Sequence, residues 1–164
     1  MQKLRKATLV FLIKRSEGQV TDICLAMKKK GFGKGRWNGV GGKVGDKQRE
    51  TIEEAAKRET KEEILVNVAD LHKVAELFFY FVNNPAWDQE VHVFFAEAWQ
   101  GEPGESDEMD PKWFSVPEIP FRQMWPDDEF WLPEVLRGNS LKATFKFGDK
   151  DVILEKEVNI VSEI

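Results

Sequence analysis

Cysteine occurs once in the 164 residues, as Cys24, and a single thiol excludes an internal disulfide framework. Its chain neighbours are apolar, so it reads as a small core residue rather than a nucleophile. Histidine occurs twice, and His72 and His92 are too few and too badly spaced for a zinc site. No apolar run approaches a membrane span, and the start MQKLRKATLVFLIKR lacks a signal-peptide cleavage pattern. No repeat, low-complexity stretch or linker interrupts the chain, which predicts one domain over residues 1–164. Basic residues are in deficit, 24 against 29 acidic, for a net charge of −5. That balance argues against a protein that coats nucleic-acid polymers. The expectation is a cytoplasmic monomer with neither a membrane nor a nucleic-acid polymer as partner.

Aromatic side chains are plentiful: 12 Phe and 6 Trp stand beside a single Tyr. With 41% apolar residues they supply a substantial core. The charge is unevenly spread. Residues 1–49 hold 13 Lys or Arg and 3 Asp or Glu, and the remainder holds 11 and 26. A basic and an acidic part within one small domain suit a site that handles anions and metal cations together.

Residues 6–14 (KATLVFLIK) and 20–27 (VTDICLAM) read as strands joined by a turn. Residues 28–45, KKKGFGKGRWNGVGGKVG, contain seven of the 12 glycines, five Lys and one Arg. Phe32, Trp37 and Val40 are embedded there, so the segment reads as a structured loop whose backbone approaches something closely. Residues 50–64 (ETIEEAAKRETKEEI) read as a helix of strong formers without Gly or Pro. Strands follow at 76–82 and 90–99, then a polar acidic loop at 101–111. A second helix is predicted over 126–137, opened by Pro126 and kinked or shortened by Pro133. Residues 141–158 form a hairpin around Gly148-Asp149. Strands with two helices make this an α+β chain.

Glu59, Glu62 and Glu63 share one helical face, at i, i+3 and i+4, and continue the stripe of Ile52, Ala55 and Ala56. Three like charges on an inward face are costly unless a cation neutralises them, and hard oxygen ligands select Mg²⁺ or Mn²⁺. A solvated helix laced by pairs such as Glu53 with Lys57 has the same periodicity. Trp125-Pro126-Asp127-Asp128 reads either as a capped helix start or as aromatic and acidic groups at a site.

From Gly41 to Glu63 the chain resembles the Nudix box, G-x5-E-x7-R-E-U-x-E-E-x-G-U with U apolar. Gly42, Glu50, Arg58-Glu59 and Glu62-Glu63 match it. Two extra residues lie between Gly42 and Glu50, within GDKQR. Thr60 fills an apolar slot, and Leu65 replaces the second Gly, removing the usual left-handed helix stop. The resemblance implies an α/β/α sandwich around a mixed central sheet with two main helices. It implies hydrolysis of a nucleoside diphosphate linked to another group, with Mg²⁺ or Mn²⁺ as cofactor. By the same resemblance Glu59, Glu62 and Glu63 ligate the metal and one acid helps activate water. Gly42 offers it a backbone carbonyl, Glu108 lies near ligand-type acids, Arg58 orients the carboxylates, and Glu50 braces the loop.

The resemblance extends over roughly residues 6–160, through MKKKGFGKGRWNGVGGKV, LHKV, ESDEMDPKWF and MWPDDEFW. It is similar there to the MutT-type oxidised purine nucleoside triphosphatases. By that match Thr8, Lys28, Phe32, Asn38, Phe79, Phe81, Met109, Trp125, Asp127, Asp128 and Trp131 form a purine pocket. Their chemistry suits the role: Trp125 and the Phe rings are flat apolar walls, and Asn38 both donates and accepts. Two adjacent acids disfavour double ionisation, so one of Asp127 and Asp128 keeps a proton to donate. Phe79 and Phe81 alternate along a strand and also read as core, and Glu108 also reads as an exposed loop acid. The implied function is hydrolysis of oxidised purine nucleoside triphosphates to monophosphate and pyrophosphate, cleansing the nucleotide pool. The alternatives are another Nudix substrate, such as a dinucleoside polyphosphate or a methylated purine nucleotide, or a non-catalytic nucleotide sensor.

Overall fold

A computed structural model describes residues 4–45 and 49–164. Asp46, Lys47 and Gln48, within the GDKQR stretch that holds the two-residue insertion, lie outside the described residues. In chain order the elements are β1 (Arg5–Ser16), β2 (Gln19–Lys28), β3 (Trp37–Asn38) and α1 (Ile52–Ile64). Then come β4 (Asn67–Val68), β5 (His72–Phe81), β6 (Gln89–Ala96), β7 (Trp99–Gln100) and β8 (Met109–Ser115). The chain ends with α2 (Asp128–Leu136), β9 (Ser140–Phe147) and β10 (Ile153–Val161).

The apolar run Val10–Ile13 explains the layering. Side chains on a strand alternate between faces. Phe11 and Ile13 belong to a core with Trp131, Leu132 and Val135 of α2. Val10 and Leu12 belong to a second core with Ala56 and Ile64 of α1. One strand is therefore buried on both faces, with a helix over each, and this is the expected α/β/α sandwich. The central sheet runs β10-β9-β5-β6-β1-β2-β3, with β8 on β2. It is mixed: β1 lies parallel to β6 and β5 parallel to β9, and the other pairings are antiparallel. Among the described residues no helix is long and apolar enough to cross a membrane.

Several sequence expectations shift. The acidic loop of 101–111 ends at Glu108, because Met109, Asp110 and Pro111 pair with Lys28, Met27 and Ala26 of β2. The second helix is shorter than 126–137 and keeps Pro133 inside it. Helix α1 starts at Ile52, where the Thr51 hydroxyl accepts the Glu54 N–H at 3.1 Å. At its far end Leu65 nevertheless adopts the left-handed conformation (φ 67°, ψ 24°) and donates its N–H to the Lys61 carbonyl. The helix stop thus survives without glycine, at a strain of about 1 kcal/mol. The Leu65 side chain is half exposed, so nothing crowds it out of that conformation.

Candidate active site

Arg58 is the hub of the acidic helix. It grips Glu50 with two bonds, Nε to Oε2 at 3.0 Å and Nη2 to Oε1 at 2.7 Å. Its Nη1 reaches Glu59 at 2.9 Å and Glu62 at 3.4 Å. A planar guanidinium suits such two-pronged contacts. Glu50 also accepts the Gly45 N–H at 2.8 Å, so it ties the loop to the helix. The Arg58 bond holds the Glu50 carboxyl below its ordinary range, against the opposing effect of burial.

Glu59 and Glu63 behave oppositely. Burial raises both, and at Glu63 it prevails to about 7. The charges of neighbouring acids, Glu108 among them, add to the rise at each. The Gly41 N–H donates to Glu63 at 3.1 Å and partly offsets it. Two glycines permit this close approach. A Cβ on Gly41 would stand 1.8 Å from the Thr8 carbonyl oxygen, and one on Gly42 would stand 2.6 Å from the Glu59 carboxyl carbon. The Gly42 carbonyl accepts the Thr8 N–H at 2.9 Å. Glu108 sits 3.4 Å from the Lys28 ammonium.

Among the described residues no three such side chains already converge on a metal-sized point. Arg58 takes up oxygens of Glu59 and Glu62 instead. The donor set still fits a hard divalent cation. It is all oxygen, and burial with the charge of neighbouring acids holds two of its carboxyls above their ordinary range. Glu62, 58% exposed, has room to reorient.

A cavity of about 290 Å³ opens beside Thr8, Gly41, Gly42 and Lys43. All eleven residues expected in the pocket line it: Thr8, Lys28, Phe32, Asn38, Phe79, Phe81, Met109, Trp125, Asp127, Asp128 and Trp131. Phe32 meets Trp125 at 4.9 Å between ring centres. Phe79 lies on Phe145 and Phe147, so it is at once core and cavity wall. Asn38 accepts the Gly39 N–H at 2.9 Å through its side-chain oxygen, which fixes the orientation of its amide.

Asp127 makes no capping bond at the start of α2. It accepts the Trp131 indole N–H at 2.8 Å instead, so the helix opens on an acid that stands at the N-cap without capping it. Asp127 and Asp128 are each 2% exposed. Burial raises both carboxyls, and the charge of Asp127 lifts Asp128 further. Of the two, Asp128 is raised the further, so the pair disfavours double ionisation. The Asp128 Oδ2 is buried without a hydrogen-bond partner. A buried polar atom facing a cavity in that state is primed for a ligand.

The cavity also includes residues that no sequence signal singled out. Gln89, at the start of β6, and Phe147, on β9, become neighbours only through strand order. Gly33 and Arg36 lay in the glycine-rich loop without a role; both stand against Trp125.

The NUDIX domain family model matches residues 3–135, and the chain belongs to that family. It is 46% identical over 154 residues to the mouse (Mus musculus) protein named oxidized purine nucleoside triphosphate hydrolase, covering 94% of each chain. A zebrafish (Danio rerio) protein of the same name is 46% identical over 142 residues, covering 87% of this chain and 89% of that one. Among solved structures, the MutT protein of Bacillus halodurans superposes with a TM-score of 0.80. It covers 95% of this chain and 98% of its own at 21% identity, a likeness of fold.

Proposed function

We propose that the protein is a metal-dependent pyrophosphohydrolase acting on oxidised purine nucleoside triphosphates of the 8-oxo-dGTP and 2-hydroxy-dATP class. The products would be the nucleoside monophosphate and pyrophosphate, and the role removal of damaged nucleotides before polymerases use them. The observation that carries this reading is the cavity itself. It is walled by aromatic rings, holds a buried carboxyl pair in which both groups are raised, and reaches the acidic helix through Gly41 and Gly42. The names of the mouse and zebrafish relatives point the same way.

In this reading Trp125, with Phe32 packed against it, forms an aromatic wall for the base. The protonated Asp128 oxygen donates to an acceptor on the purine edge, and Asp127 accepts from a donor. Exchange of the single proton between them lets one pocket meet an oxidised guanine or adenine. Lys28 and Lys43 offset phosphate charge. Glu59, Glu62, Glu63, Glu108 and the Gly42 carbonyl would hold Mg²⁺, with Mn²⁺ as a substitute. When bound, the cation screens phosphate charge and acidifies water. Arg58 keeps Glu59 and Glu62 aligned, Glu50 anchors Arg58, and one of the helix acids takes the proton of the attacking water. We further propose a single domain and a cytoplasmic monomer. The β9–β10 hairpin, beyond the family-matched residues, completes the central sheet, which supports the single domain.

Steady-state turnover of modified and unmodified triphosphates, dinucleoside polyphosphates and methylated purine nucleotides, with product identification, tests the reading. Preference for the oxidised purines is expected. Equal activity on dGTP overturns the cleansing role, and no turnover with either cation overturns the hydrolase.

A further inference from the structure

Arg36 lies in the glycine-rich loop, two residues before Asn38. Its guanidinium carbon sits 4.1 Å from the centre of the Trp125 ring, a cation over an aromatic face. On its other side, Nη1 meets Asp151 Oδ2 at 3.0 Å. The two side chains are 28% and 29% exposed, so the ion pair by itself adds little stability. What it fixes is direction, because a guanidinium tied at one end cannot tumble off the ring.

Asp151 arrives from the loop between β9 and β10 by an unusual backbone. Lys150 and Asp151 both hold left-handed conformations, with φ of 54° and 59°. Neither is glycine, and strained backbone of this kind persists only where its surroundings over-determine it. The Trp125 ring is shared between Phe32, tilted against it at 4.9 Å, and the Arg36 cation. Phe81 and Phe147 meet it edge-on, at 6.4 and 6.0 Å. Phe32 is itself 45% exposed, and Gly33 brings only backbone beside the indole nitrogen. Arg36 lines the purine cavity and also a shallower outer one with Gly31, Lys34, Trp87 and Asp151, so it stands at the partition between them.

We propose that Arg36 and Asp151 form a specificity-determining clamp, in which Asp151 aims the Arg36 guanidinium and Arg36 holds the Trp125 wall at the spacing a planar base needs. Arg36 is a positioning residue, since it acts on the substrate through Trp125. The clamp rests on the purine-pocket reading above. It makes the base site depend on a hairpin outside residues 3–135, the part the family model matches. Loosening it weakens capture of the base and leaves the phosphate end, at the acidic helix, untouched.

The test uses the full chain labelled with 5-fluorotryptophan, whose Trp125 resonance is assigned with Trp125→Phe. Arg36→Lys keeps the charge and loses the flat stack; Asp151→Asn keeps the shape and loses the anchor. Each is expected to shift the Trp125 fluorine signal and to raise KM for 8-oxo-dGTP about ten-fold with kcat within about two-fold. The double variant should be no worse than Arg36→Lys, as coupled residues behave. A Trp125 signal unmoved by Asp151→Asn, or KM effects that multiply in the double variant, overturns the clamp. If the parent protein turns over no purine triphosphate, the proposed function fails, and the fluorine signals still decide the clamp.

Discussion

The indole N–H of Trp131 donates to the Asp127 carboxylate at 2.8 Å from a ring that no solvent reaches. A buried tryptophan thus holds one member of the acid pair, and the apolar core and the cavity share one hydrogen bond. Trp131→Phe keeps most of the ring volume and removes the donor. The variant is expected to lose about 1–3 kcal/mol of stability, the penalty for a buried acceptor left unpaired. Equilibrium urea unfolding measures it, and discrimination between 8-oxo-dGTP and dGTP should fall in the same protein.

The acid pair also sets a pH dependence. Its carboxyls titrate higher in the fold than in the unfolded chain, where an Asp ionises near ~4. The native state therefore binds more protons, and stability declines as pH rises from there through the raised native values. Asp128→Asn removes the more strongly raised group. Its melting temperature should fall less than the parent's between about pH 5 and pH 8, as thermal unfolding across that range would register. A steeper fall in the variant contradicts the assignment of the proton to Asp128.

Glu63→Gln preserves the acceptor for the Gly41 N–H and removes the charge. Turnover should drop by about 10²–10⁴-fold while nucleotide affinity stays largely intact. Rapid-quench kinetics set beside nucleotide titration separates the two. Unchanged turnover refutes the role given to Glu63.

The two glycines of the loop should fail differently. In Gly41→Ala the new methyl meets backbone, 1.8 Å from the Thr8 oxygen, so the loop must leave β1 and the fold loses stability. In Gly42→Ala it meets the carboxyl end of Glu59, which can swing away. That protein should fold, and its Mg²⁺ affinity should fall about 10–100-fold, the range seen when groups around metal ligands are disturbed. Calorimetric metal titration and a melting curve for each variant distinguish the two outcomes.

Leu65→Gly is expected to stabilise the protein by about 1 kcal/mol, since the left-handed strain at the end of α1 disappears. Denaturant midpoints of the two proteins check this. Lower stability in the variant would mean that the contact of Leu65 with Gly104 outweighs the strain.

The acidic helix was legible in the sequence because its signal is local. Residues three and four apart on α1 share a face whatever surrounds them. The pocket residues were legible only through resemblance, since Thr8, Asn38 and Met109 lie on three strands that pairing gathers around β2 and Trp125 lies just before α2. Phe147 and Gln89 carried no signal at all, as their place depends on β9 lying beside β5 and β6 beside β1. The start of β8 was misread as loop because Asp110 and Pro111 are poor strand formers. Pairing along the outer edge of β2 outweighs that preference. Leu65 was misread for the opposite reason: a rule about glycine describes what costs least, and one residue can bear the difference.

The strand order has a consequence for the birth of the molecule. Synthesis runs from the amino end, so α1 and its carboxylates leave the ribosome long before β9 and the hairpin tip. Phe147, which lines the cavity, and Asp151, which pairs with Arg36, come from that late segment. A nascent chain can carry its acids in full while the cavity still lacks its Phe147 wall. The cavity is therefore completed last, when the closing hairpin docks beside β5.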